Sequence, residues 1–175
     1  MKVIVAPHDP AWACEFETEA QLIRDAVGDL VLRLHHIGST AIPGISAKPI
    51  IDILMEVRDI DELDSRSSSM QCLGYEAKGE FGIPGRRYFR KDSASGERTH
   101  QVHAFAAHSP EIERHLAFRD YMITHPEAAQ RYSELKQLLA REHSSDIQAY
   151  MDGKDAFIKE QEAKALAWRA SRIPR

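Results

Sequence analysis

The spacing of apolar positions divides the chain into helical and extended segments. Trp12, Phe16, Ala20, Ile23 and Val27 recur at intervals of three and four, which predicts an amphipathic helix. Asp9 supplies its N-cap, Pro10 its first position and Gly28 its stop. Residues 30–37 alternate instead, as in a strand. Leu30, Leu32, Leu34 and His36 share one face, and Val31, Arg33, His35 and Ile37 the other. Residues 50–57 form a near-continuous, β-branched run, which predicts a central strand covered on both faces. On that strand Asp52, Leu54 and Glu56 project to one side, and Ile51, Ile53, Met55 and Val57 to the other. An acidic helix over 59–73 follows, with Gly74 as its stop.

Residues 75–81 predict a further strand and Gly82-Ile83-Pro84-Gly85 a turn or mobile loop. Residues 87–91 and 99–106 predict a hairpin around 92–96. The last third is helical. Ser109-Pro110 starts one helix, Thr124-His125-Pro126-Glu127 has the form of a capping box for the next, and Asp146 caps a third, with a bend at Gly153. Ile147, Tyr150 and Met151 are expected to face inward. The fold class is therefore α+β, loosely α/β. It is a mixed five-strand sheet with an N-terminal helix and a C-terminal helical bundle, in one domain over 1–175.

Composition changes this picture little. A chain of 175 residues buries roughly 70% of its unfolded surface and needs no disulfide. Cys14 and Cys72 have no metal-ligand spacing and are expected as buried or half-buried free thiols in a reducing cytoplasm. No basic-then-apolar leader and no run of membrane-spanning length stand in the sequence. The net charge of −4 gives no case for nucleic acid or an anionic membrane as a partner. Nothing in the composition sets an oligomeric state.

The chemistry concentrates in 36–57, reading HIGSTAIPGISAKPIIDILMEV. Gly38, Ser39 and Thr40 close a strand with small residues. Such a turn lets a backbone approach an oxyanion, and the two hydroxyls add donors. A carboxylate inside an apolar strand is costly unless paired, so a metal ion or a cationic partner is expected near Asp52. The turn is suited to a phosphate tail and Asp52 to the divalent metal bound to that tail. That arrangement resembles the core of the nucleotidyltransferase fold. The longer string is identified as the hallmark of the GrpB family: His36-Ile37-Gly38-Ser39-Thr40, Pro43-Gly44, then Ala47-Lys48-Pro49-Ile50-Ile51-Asp52-Ile53. Trp12 and Phe16, His100-Gln101-Val102-His103, Phe118-Arg119-Asp120-Tyr121, Tyr132 with Lys136, and Tyr150 with Lys154 extend the resemblance over nearly the whole chain.

The resemblance implies a nucleotidyltransferase-like fold, and a domain of this family is in some proteins joined to dephospho-coenzyme A kinase. Active members of the wider superfamily carry two acids at alternate positions of the strand. Here the alternate position is Leu54, and Glu56 lies roughly 13 Å from Asp52 at ~3.3 Å per residue. Paired catalytic metals sit only ~3.5–4 Å apart. Histidine is the expected substitute. Asp52, His103 and His36 converge if the hairpin strand lies beside the Asp52 strand, and such a trio suits Zn²⁺, Mn²⁺ or Fe²⁺ better than Mg²⁺. His35 and His100 are expected to face away from His36 and His103. Lys48, Lys136, Lys154 and Arg87 are the candidate phosphate ligands, and Asp52 and His103 the candidate catalytic pair. Three functions follow from these residues. One is nucleotidyl transfer from a nucleoside triphosphate to a small-molecule or protein acceptor, with Mg²⁺ or Mn²⁺. The second is non-catalytic binding of a nucleotide or phosphorylated small molecule. The third is a His/Asp metal-dependent small-molecule enzyme.

Overall fold

In the computed structural model, which describes residues 2–173, five strands build one mixed sheet. Their spatial order is β1 (Val31–Ile37), β2 (Ile51–Val57), β5 (Arg98–Ala106), β4 (Arg87–Asp92) and β3 (Tyr75–Ala77). β2 and β5 run parallel, and the other three pairings are antiparallel. The expected α+β class and the five strands are therefore present, and the hairpin strand lies beside the strand that carries Asp52.

The alternation in β2 decides which helices cover which face. Ile51, Ile53, Met55 and Val57 join Val102 and Ala104 in the larger core. Over them lie α1 (Ala11–Val27), α2 (Ile60–Ser65) and α3 (Ser67–Cys72), through Trp12, Phe16, Ile23, Leu63 and Met70. On the opposite face Leu54, Ile37 and Phe105 pack against Ile112 of α4 (Pro110–Thr124). The remaining helices, α5 (Pro126–Glu142) and α6 (Ile147–Ser171), sit on that side with α4. α4 and α5 pack through Met122, Ala129 and Tyr132 on Ile42 and Ile45 of the loop after β1. That loop is consequently clamped between the sheet and the bundle.

Several elements differ from the pattern reading, each for a local reason. The acidic helix over 59–73 is two short helices broken at Arg66, whose φ and ψ are −110° and 15°. Its guanidinium instead donates to the Val27 carbonyl at the end of α1, 2.6 Å away. The strand expected over 75–81 ends after three residues, because the chain turns at Gly79 with φ 63°. Thr124 does not close a capping box: its hydroxyl turns back to the carbonyls of Asp120 and Tyr121, and His125 takes the N-cap position without a side-chain bond. No break occurs at Gly153, through which α6 runs unbroken. The glycine serves close approach instead, since a Cβ there would stand 2.5 Å from Leu139 Cδ2. Ile147 and Met151 are partly exposed rather than core, and both thiols, Cys14 and Cys72, are exposed. No helix among the described residues is long and apolar enough to cross a membrane.

Candidate functional site

The turn after β1 and the acid on β2 meet because their strands are adjacent and antiparallel, with Ile37 opposite Asp52. Gly38 takes φ 75° and ψ −175°, a conformation open to glycine almost alone. A Cβ at Gly38 would lie 2.6 Å from Asp52 Oδ2, so the backbone of the turn rests directly on the carboxylate. Ser39, Thr40 and Ala41 then form a single 3₁₀ turn. The Thr40 hydroxyl donates to the Ile50 carbonyl at 3.2 Å, stitching the turn to the start of β2. With that proton committed, Thr40 Oγ1 accepts from His36 Nε2 at 2.9 Å.

His36 accordingly does not join Asp52. Strand alternation places it on the α1 face, stacked on Phe16 with ring centroids 5.0 Å apart. Burial is the main cause that lowers its pKa to about 4, opposed by Asp52, so it is a neutral donor that holds the turn. The expected trio of Asp52, His103 and His36 is not assembled. Among the described residues no group of three His, Cys, Asp or Glu side chains is placed to hold a metal ion. His103 does reach Asp52, with Nε2 3.2 Å from Oδ1. Its Nδ1 lies 3.3 Å from Arg86 Nη1, and a guanidinium only donates. Nδ1 therefore accepts, and Nε2 carries the proton given to Asp52. Both ring nitrogens are engaged, which leaves neither free as a base or as a metal ligand in this arrangement. His35 shares the Asp52 face but pairs with Glu56 at 2.5 Å, and His100 turns to Glu19 on the α1 side. A zinc-type His/Asp centre does not fit these positions. A magnesium or manganese ion carried in on a phosphate chain does, because such ions need only one or two carboxylates beside the phosphates. Asp52 would hold it and Gln101, its register partner on β5, lies beside the acid.

A cleft of about 330 Å³ opens over Asp52, between the starts of β2 and β5, the 39–50 loop, and α5 and α6. Ser39, Thr40, Lys48, Lys136 and Lys154 line it, together with Arg98, Gln101, Tyr150 and Met151. Four cations thus face one carboxylate. Arg98 is bound to Asp92 at 2.5 Å. Lys136, 1% exposed, donates to the Ser46 carbonyl, and burial pushes its pKa down to about 7. Lys154 is 9% exposed, and burial lowers its pKa to about 8. Among the described residues neither Lys48 nor Lys154 has a salt bridge; their amines sit 5.4 Å and 4.9 Å from the centre of the Tyr150 ring. The Tyr150 hydroxyl is itself buried with no hydrogen-bond partner among the described residues. Arg87 is absent from this cleft. It faces α2 and makes two bonds to Asp64, at 2.7 and 3.0 Å.

The family model described as "GrpB protein" matches residues 2–164. The chain belongs to the GrpB family.

Among its relatives is the UPF0157 protein YqkA of Bacillus subtilis, 44% identical over 98% of this chain and 49% of YqkA. The chain thus spans about half the length of that relative. The Glutamate-rich protein GrpB of Alkalihalophilus pseudofirmus is 32% identical over 91% of this chain and 93% of its own length. The crystal structure of the conserved protein GrpB from Enterococcus faecalis superposes with a TM-score of 0.90 at 44% identity. It covers 95% of this chain and 99% of that one.

In this GrpB-family chain the segment Phe118-Arg119-Asp120-Tyr121 supports the site from behind. Arg119 donates to the His36 carbonyl at 3.2 Å, just before the turn, and Arg169 of α6 donates to Asp120 at 2.7 Å. Arg86 and Tyr150 were not singled out as site residues in the sequence. Tyr150 was legible as the i, i+4 partner of Lys154 on one helix face, whereas nothing local marks Arg86 as the group that orients His103.

Proposed function

We propose that this cleft binds the phosphate groups of a nucleotide or phosphorylated small molecule, on a nucleotidyltransferase-like layout. The observation that carries the reading is Lys154, a buried amine with no carboxylate in salt-bridge contact among the described residues, beside Lys48, for which the same holds. A buried charge without a counter-ion is costly, and an incoming phosphate supplies the missing anion. The Gly38-Ser39 turn lies across the same cleft and offers backbone and hydroxyl donors at close range. Asp52 is the carboxylate for a divalent ion arriving with the phosphates; such an ion would neutralise charge on the phosphate oxygens.

Nucleotidyl transfer to an acceptor is the reaction such a site would serve, through positioning and charge neutralisation. Binding without turnover is the second reading, and Leu54 favours it. Leu54 is 0% exposed and packed on Ile37, Phe105 and Ile112, so the place of a second acid is sealed by core. Calorimetric titration of the protein with nucleoside triphosphates and Mg²⁺ or Mn²⁺, alongside a pyrophosphate-release assay, separates the two. Binding that Lys154→Met weakens at least tenfold supports the phosphate site. Pyrophosphate release abolished by Asp52→Asn adds catalysis; binding without release assigns a binding module. No measurable binding of any phosphorylated ligand overturns the reading.

A further inference from the structure

The cationic cleft does not end at Lys48. A second recess of about 170 Å³ continues from it, and the two share Lys48, Ile50, Arg98 and Ile147 as a common wall. Its character is different. Pro49 and Ile50 of the loop before β2 form one side, Ile147 at the start of α6 another, and Val3 and Ile4 a third. The charged residues of its lining form a polar rim: Lys2, Glu97 and Arg98, with Lys48 at the junction with the cleft. Ile4 and Ile147 are 54% and 40% exposed, so an apolar surface stands open beside a concentration of positive charge. Glu97 makes no salt bridge among the described residues, whereas Arg98 is bound to Asp92.

Resting on the phosphate reading above, we infer that this recess receives the base of a nucleotide whose phosphates lie at Lys48 and Lys154. Apolar walls with a polar rim match an aromatic heterocycle, which has two apolar faces and a hydrogen-bonding edge. An alkyl chain would use the walls and leave the rim idle. The rim also carries a preference. A carboxylate accepts from the exocyclic amino group of adenine, cytosine or guanine. Uracil has no amino group, and its one ring N–H is flanked by two carbonyl oxygens that repel a carboxylate. Glu97 therefore selects against uracil.

The test is a set of calorimetric titrations of the full chain with Mg²⁺ present. The ligands are inorganic phosphate, inorganic tripolyphosphate, hexyl phosphate and the four common ribonucleoside triphosphates. The expected result is that ATP, GTP or CTP binds at least tenfold more tightly than tripolyphosphate, with UTP weakest of the four. Ile4→Glu, at an exposed position that lines the recess and not the phosphate cleft, should remove that advantage while leaving tripolyphosphate affinity within twofold. Glu97→Gln should bring UTP level with the others. Equal affinity for tripolyphosphate and all nucleotides overturns the base recess and leaves the phosphate site standing. So does an advantage untouched by Ile4→Glu, or one matched by hexyl phosphate over inorganic phosphate. Failure of tripolyphosphate and every nucleotide to bind removes both readings together.

Discussion

Gly38 shows how narrow the chemical tolerance of the site is. Its backbone occupies a region that costs a side-chain-bearing residue ~1–3 kcal/mol, and any Cβ would collide with the Asp52 carboxylate. Gly38→Ala should lower stability by about that amount in urea denaturation and displace the acid. A variant of unchanged stability and unchanged ligand affinity would contradict the close contact. His36 makes a second residue-scale case. Burial lowers its pKa from 6.5 to about 4, so the unfolded chain binds the extra proton first as pH falls. Stability contributed by neutral His36 should be lost progressively below pH 6.5 and down to about 4. Denaturant titrations at pH 6.5, 5.5 and 4.5 should show a shallower decline for His36→Phe, which keeps the stacking on Phe16 but cannot take up a proton. An identical slope would remove His36 from the acid response.

At the scale of elements, the helices hold the site more than they line it. α5 binds every polar group of Ser46: Ser133 accepts from its N–H at 2.9 Å, Lys136 donates to its carbonyl, and Gln137 donates to its hydroxyl at 2.8 Å. Two residues on, Lys48 is thereby presented to the cleft. α6 reaches the same place only because Gly153 lets it close on Leu139 of α5. Gly153→Ala brings ~1 kcal/mol of helix propensity against ~1–3 kcal/mol of overpacking. The net expectation is a lower melting temperature, and a smaller loss from Gly153→Ala when it is measured in a Leu139→Ala background. A more stable single variant would show that Leu139 can swing aside without loss.

For the whole molecule, the decisive feature is an uneven charge distribution. The net charge is −4, yet one cleft gathers Lys48, Arg98, Lys136 and Lys154 around Asp52. Fold and ligand should therefore respond to pH in opposite directions. Burial lowers Lys136 and Lys154 from 10.5 to about 7 and about 8, so above pH 7 the unfolded chain binds more protons than the folded one. Stability should rise between pH 7.5 and 9, and the rise should flatten in Lys154→Met. Phosphate affinity should fall over the same interval, as the Lys154 amine loses its charge. Parallel denaturation and binding series check both trends. If the two move together, the buried amines are not the groups that link them.

Local patterning determined a good deal. Period-two and near-continuous apolar runs placed all five strands and the side of β2 on which Asp52 projects, since alternation is a property of the backbone itself. The small-residue turn and the two lysines each four positions after a tyrosine were also legible, because their chemistry lies in residues near one another in sequence. Strand order was not. Only the parallel docking of β5 on β2 put His103 within reach of Asp52, and only the packing of α1 over the other face gave His36 Phe16 as its stacking partner. The same holds for the lysines. Residue type says that Lys154 is cationic, but its burial is a consequence of how α6 closes over the sheet, a long-range fact that no window along the chain contains.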